Sequence, residues 1–305
     1  MHRTEYSYST PMADGFTVAR LLPRVTPLQA LLHSEVAVTP QPDEWDESLD
    51  AFGNRVLHFA VHHPHRSLVV ESTVEVALHD GAPPARDIPW RSIVTSAADA
   101  RGGLAAELAP YLSHTAQTPR LPELAALTDG VFSDVLFTGY AWSPSGTENS
   151  DVPESRGVVD SVRSLCHRIF SEFQFDPSFT DVTTPLETVL SARRGVCQDF
   201  AHTAVAALRS VGLPARYVSG YIETLPPPGE PKLVGVDASH AWCSVWAGEL
   251  GWLDFDPTND QMPPMRHVTV GWGRDYDDVA PVRGVVIGPP AAQSLVVSVD
   301  VAELR

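Results

Sequence analysis

Residues 194–202, RGVCQDFAH, set a cysteine just after a glycine and just before an apolar helical repeat. Phe200, Ala204, Leu208 and Val211 recur at spacings of three and four, which gives one apolar helical face. Gly212 and Pro214 then end the pattern in the order expected of a helix C-terminus. Cys197 therefore falls in the first turn, where backbone N–H groups lack intrahelical partners and the helix dipole is positive. Both effects favour the thiolate, which is the reactive form of a cysteine. A buried packing role suits a single free cysteine equally well. What decides between them is the rest of the chain.

Ser239–Trp246 (SHAWCSVW) alternates as a strand does, and Gly251–Thr258 (GWLDFDPT) reads as a second strand. The short, glycine-containing stretch between them predicts a hairpin. A helix-borne cysteine, then adjacent strands bearing a histidine and an aspartate, supplies the three parts of a thiol acyl-transfer site: nucleophile, base and orienting carboxylate. Asp254 and Asp256 point to the same face of a strand, so spacing alone does not choose between them.

GVCQDFAH (195–202), LRSVGLPARYVSGY (208–221), SHAWCSVW and GWLDFDPTND (251–260) together resemble the transglutaminase-like superfamily of papain-type thiol enzymes. The resemblance is to the bacterial subfamily whose catalytic domain follows an N-terminal β domain. Residues 1–78 and HVTVGWGRDYDDVAPVRGVV (267–286) are similar to its two ends, so most of the chain is covered. The resemblance implies Cys197 as nucleophile and His240 as base. It implies Asp256, immediately before Pro257-Thr258, as the orienting carboxylate. There are two departures. Cys243 stands where an acidic residue is common, and Phe175 where a tyrosine is expected.

The fold expected is α+β: an N-terminal β-sandwich-like domain, then a papain-like, transglutaminase-like catalytic domain with an antiparallel sheet. The chemistry expected is attack of Cys197 on a carboxamide of a glutamine or peptide, giving a thioester acyl-enzyme that leaves to an amine or to water. The Cys197 N–H is the first oxyanion donor, and Gln198 and Gln174 are candidates for the second. A cysteine peptidase or amidase is the alternative enzyme. A non-catalytic peptide-binding module on the same fold is the alternative of another class. The partners expected are a protein or peptide substrate and a primary amine acceptor, with no cofactor and no metal, since the acidic residues lack EF-hand spacing.

Composition fits a folded two-domain chain of 305 residues with 43% hydrophobic residues. Twenty-one Lys+Arg against 38 Asp+Glu give a net charge of −17, which disfavours nucleic acid and anionic membranes as partners. Three cysteines do not form a disulfide framework. With neither a basic-then-apolar leader nor a membrane-length apolar run, the expectation is a cytoplasmic protein whose thiols stay reduced.

Strands are expected at His2–Tyr8, Ala19–Pro23, Gln29–Thr39, Asn54–Val61 and Ser67–Leu78, placing a β domain at 1–92. A helical connection and linker follows at 93–157, with helices at Ala97–Leu112 and Leu121–Phe137 and a linker at 143–157. The catalytic domain then occupies 158–305, opening with a helix at Val158–Phe173 that carries Cys166 as core packing. Segments 282–287 and 294–301 are expected to complete its sheet. Trp242, Tyr217 and Tyr221 are candidates for a substrate groove, with core packing the competing role for the tryptophan and sheet packing for the tyrosines, and Pro226–Pro231 is a flap candidate or a plain surface excursion. The cluster His58, His62, His63 and His65 has no cysteine or carboxylate among its sequence neighbours, so it is read as a polar strand end.

Overall fold

The alternation in the first 78 residues builds two four-stranded antiparallel sheets, both completed by the end of the chain. The computed structural model describes residues 1–79, 84, 86–132, 156–223, 239–263 and 266–304. The N-terminal strands are β1 (His2–Met12), β2 (Asp14–Ala19), β3 (Gln29–Thr39), β4 (Glu44–Leu49), β5 (Arg55–Val61) and β6 (His65–Leu78). The helices that follow are α1 (Trp90–Ala98), α2 (Gly102–Leu112), α3 (Ala125–Thr128) and α4 (Val158–Glu172). Then come β7 (Gln174–Phe175), α5 (Leu186–Ala192), β8 (Arg194–Gly195), α6 (Cys197–Ser210), β9 (Ala215–Ile222), β10 (Ser239–Trp246) and β11 (Trp252–Phe255). The chain ends through β12 (His267–Gly273), α7 (Tyr276–Val279), β13 (Val282–Ile287) and β14 (Gln293–Val299).

The chain divides into two compact units. One comprises Met1–Gly81, Val218–Ala241 and Pro263–Arg305; the other comprises Ala82–Tyr217 and Trp242–Met262. In the first unit the strand orders are β14-β1-β6-β3 and β13-β2-β5-β4. Inward residues of both sheets, among them Leu68 and Val70 of β6 and Leu57, Phe59 and Val61 of β5, form one core cluster. This is the expected sandwich. Its membership corrects one expectation, because β13 and β14 pair with β2 and β1 of the sandwich rather than extending the sheet that follows α6. Local alternation identifies a strand but carries no information about which distant edge it joins.

Two buried side-chain amides tie β12 into the sandwich. Gln29 donates to the Thr269 carbonyl at 2.8 Å and accepts from the Thr269 N–H at 2.8 Å. Asn54 does the same for Trp272, at 2.8 and 3.0 Å. Toward β12 each amide presents one donor and one acceptor, as a strand residue does, so it satisfies the ladder groups of that strand.

The second unit is helical around α6. The predicted long helix at 97–112 is two helices broken at Asp99–Arg101, and Leu121–Phe137 yields a single 3-10 turn (Pro122–Leu124) and the one-turn α3. Residues 133–137 of that segment, the linker at 143–155 and the flap candidate Pro226–Pro231 lie outside the described residues. The start of α4 is capped from afar: Asp87 accepts from the Val159 and Asp160 N–H groups, both at 2.9 Å. At the far end of α6, buried Arg209 donates to the carbonyls of Tyr111, Ser113 and Ala215 and to the Thr118 hydroxyl. β11, β10, β9 and β12 form the third four-stranded sheet, with Cys243 opposite Phe255 and Trp246 opposite Trp252. No helix among the described residues is long and apolar enough to cross a membrane.

Candidate active site

Cys197 is the first residue of α6, a 14-residue helix whose face toward the interior is apolar from Phe200 to Leu208. The preceding residue, Val196, is extended and has no polar side chain to cap the helix. The cap comes from Asp199 instead. Its carboxylate accepts from the Val196 N–H and from the Thr180 hydroxyl, both at 2.7 Å. This is the reciprocal half of a capping box, and it places a negative group among the first-turn N–H donors. Burial raises the pKa of Asp199, while these two hydrogen bonds work in the opposite direction.

Cys197 is half-buried, whereas Cys166 and Cys243 are buried. The Cys243 thiol donates to the Phe255 carbonyl at 3.3 Å, and its contact with Cys166, together with burial, pushes the Cys166 thiol well above its ordinary pKa. These two sulfurs are packing groups, as expected for Cys166.

A two-stranded parallel ribbon delivers Gln174 to the same neighbourhood. β7 pairs with β8 so that Gln174 lies beside Arg194 and Phe175 beside Gly195, two residues before Cys197. The Gln174 N–H donates to the Arg193 carbonyl and the Asp176 N–H to the Gly195 carbonyl, each at 2.8 Å. Gln198 follows Cys197 on the helix and is partly exposed. Phe175 is exposed, and its ring meets Phe200 edge-on at 6.4 Å.

The two aspartates that spacing left equivalent are in different environments. Asp254 is within β11 and accepts from the Trp242 indole N–H at 3.1 Å. Asp256 follows the end of β11, fully buried, in a turn that its own carboxylate organises. It accepts from the Thr258 N–H at 2.9 Å, the Asn259 N–H at 3.2 Å and the Asn259 amide at 2.7 Å. The fixed orientation of this carboxylate is what a group that must hold an imidazole requires. His240 is the second residue of β10, the strand that pairs with β11, and it is buried. Its ring lies 5.7 Å from that of buried His267, at the start of β12.

The proposed groove residues are interior. Trp242 is fully buried and hydrogen-bonded to Asp254. Tyr217 packs its ring 4.8 Å from His202, and the Tyr221 hydroxyl lies 3.1 Å from His2 Nδ1 in the sandwich-containing unit. β9 and β10 are buried on both faces, so alternation does not mark an open side.

Sequence reasoning missed Asp199, Thr180 and His267. Asp199 had a signal, an acidic residue three positions after a non-helical one at a helix start. The turn at Asp256 had one too, since Asp-Pro-Thr-Asn is an Asx-turn sequence. His267 had none. The histidine cluster also gains partners that sequence neighbours do not supply: His62 meets Asp14 at 3.0 Å and Glu44 at 3.3 Å, and His63 meets Asp43 at 3.2 Å.

Comparison with known proteins agrees with this architecture. The bacterial transglutaminase-like N-terminal region matches residues 1–77, and the transglutaminase-like superfamily matches residues 141–257. An uncharacterized protein of Mycobacterium tuberculosis is 37% identical over 311 residues, covering 98% of this chain and 90% of that protein. A protein-glutamine gamma-glutamyltransferase of Pseudomonas aeruginosa is 30% identical over 126 residues, 36% of this chain and 19% of that protein. A solved structure described as a candidate cysteine protease from Cytophaga hutchinsonii shares the fold. Its TM-score is 0.67 at 20% identity, covering 99% of this chain and 91% of that one.

Proposed function

As this chain belongs to the transglutaminase-like superfamily, we propose that it is a cysteine acyltransferase acting on the carboxamide of a glutamine-bearing protein or peptide. The observation that carries the proposal is Cys197 itself, the half-buried first residue of a helix whose first-turn carboxylate, Asp199, is already engaged as a cap. The identity of the Pseudomonas aeruginosa relative supports glutamine as the acyl donor, over the third of the chain that it covers.

In this mechanism the Cys197 thiol passes its proton to His240 and its sulfur attacks the amide carbon while the carbonyl π pair moves onto oxygen. The Cys197 N–H and the Gln174 side chain stabilise that oxygen; Gln174 is preferred to Gln198 because β7 runs alongside the segment leading into Cys197. The tetrahedral species collapses, the C–N bond breaks, and His240 delivers a proton so that ammonia leaves. A primary amine then attacks the thioester and loses its proton to His240, and the C–S bond breaks as the sulfur takes that proton from His240 to regenerate the thiol. Asp256 holds the imidazole tautomer throughout.

Incubation with a glutamine peptide and a fluorescent primary amine tests this. Incorporation of the amine with matching release of ammonia is the expected result, and Cys197→Ala should abolish both. Undiminished turnover by Cys197→Ala would remove the proposal. Ammonia or peptide release without incorporation would reassign the enzyme as an amidase or peptidase.

A further inference from the structure

The sandwich has two edges of opposite character. At one, β3 and β4 carry His33, Glu35, Glu44, Asp46 and Glu47, charges that discourage pairing with another strand. At the other, β13 and β14 end the two sheets, and β14 (QSLVVSV) carries no charge over its whole length. Leu295, Val296 and Val297 are 53%, 61% and 46% exposed. Consecutive strand residues point to opposite faces, so apolar surface is open on both sides of this strand. Val285 and Ile287 of β13 and Phe16 of neighbouring β2, in the other sheet, are exposed as well. β14 pairs with β1 on one side, and among the described residues no strand pairs with the other.

We propose that this edge pairs with β14 of a second copy of the chain, antiparallel about a two-fold axis at Val296. The occupant follows from the sequence of the edge. Hydrogen-bonded and non-hydrogen-bonded pairs alternate along an antiparallel ladder, so a two-fold axis must set one residue opposite its own copy. With the axis at Val296, Leu295 faces the partner's Val297 and Ser294 faces the partner's Ser298. Ser-Leu-Val-Val-Ser (294–298) thus matches polar with polar and apolar with apolar. Axes at Leu295 or Val297 oppose serine to valine instead. The charge-free edge sets no like charges against each other, despite a net charge of −17 on each chain. Pairing joins two four-stranded sheets into one of eight strands and sets Leu295, Val296 and Val297 beside apolar counterparts on both faces of the joined sheet.

Sedimentation velocity over a range of concentrations tests the pairing. The wild-type chain is expected to dimerise. Val296→Lys and Val296→Glu each set like charges opposite one another at the axis, and each should weaken self-association roughly tenfold or more. An equimolar mixture of the two variants should recover the dimer, because Lys then faces Glu. A wild-type chain that stays monomeric, a dimer indifferent to both variants, or a mixture that fails to recover each overturns the proposal. If a variant does not fold, hydrogen exchange decides on the wild-type chain: protection of amides 293–299 should rise with concentration, and concentration-independent protection overturns the pairing.

Discussion

Gly195 and Asp199 show how tightly the turn before the candidate nucleophile is built. A Cβ on Gly195 would lie 2.5 Å from Asp199 Oδ2 and under 3 Å from its Cβ and Cγ. The carboxylate occupies the space that the glycine leaves and from there accepts the Val196 N–H. Gly195→Ala is therefore expected to expel the carboxylate and leave the Val196 N–H without its acceptor, at a cost of about 2 kcal/mol. Iodoacetamide labelling of Cys197 followed by mass spectrometry, together with a thermal melt, is the check. Both the melting temperature and the labelling rate should change, while Asp199→Asn, which keeps an acceptor oxygen, should disturb folding less. A Gly195→Ala variant that melts and labels like wild type would show that the cap is dispensable. At this scale the sequence was legible where chemistry is local. Cys197 heads its helix as periodicity and the Gly212/Pro214 stop required. For Trp242, Tyr217 and Tyr221 the sequence left interior packing and a groove both open, because a strand buried on both faces has no alternation to separate them.

Elements were recognised where apolar residues alternate against solvent and missed where they do not. The span of β3, Gln29–Thr39, is the one that alternation and β-branching predict. β4 (EWDESL) escaped, since an exposed edge strand needs no apolar period. The strand expected at Ala19–Pro23 lies a few residues earlier, at Asp14–Ala19, because its apolar residues Leu21 and Leu22 follow β2 and enter the core from irregular backbone. Least legible was the attachment of β12, which rests on amides more than 200 residues away in sequence. Gln29→Met conserves the shape of the side chain but takes the amide away from the Thr269 N–H and from the Arg24 carbonyl, which accepts from it at 2.7 Å, while the Thr269 carbonyl keeps the Arg24 N–H. It should cost about 2–4 kcal/mol, the sum of two buried unsatisfied groups. Denaturant melts of Gln29→Met and of exposed-site Gln293→Met compare the two positions; equal, small losses would show that β12 does not depend on the amide.

For the whole molecule, the interleaving of the chain's two ends makes stability a property of residues that are far apart in sequence. β1 lies between β14 and β6, and His2 at its start is buried with its Nε2 2.8 Å from the Thr4 hydroxyl. Its Nδ1 lies 3.1 Å from the hydroxyl of Tyr221, whose own ionisation burial pushes upward. Both bonds suit a neutral imidazole. Burial, and secondarily the N-terminal ammonium, lower the His2 pKa from 6.5 to about 4. The unfolded chain protonates this histidine near 6.5, so between pH 6.5 and 4 it binds more protons than the folded chain, and stability rises with pH across that window. Acidification from pH 6.5 to 4 should thus remove about 3 kcal/mol through His2 alone. Exposed His62 has the opposite sign. Its bonds to Asp14 and Glu44 raise its pKa, so its contribution is present below 6.5 and fades as pH rises through the folded value. Water screens that pair, and the buried group dominates. Melting temperatures of wild type and His2→Gln between pH 7.5 and 4 separate this effect from general acid loss. Wild type should fall more steeply below pH 6.5, narrowing the gap between the two proteins as the pH approaches 4. Parallel curves would mean that His2 is protonated as readily in the folded chain as in the unfolded one, and that the seam between β1 and β9 is open to water.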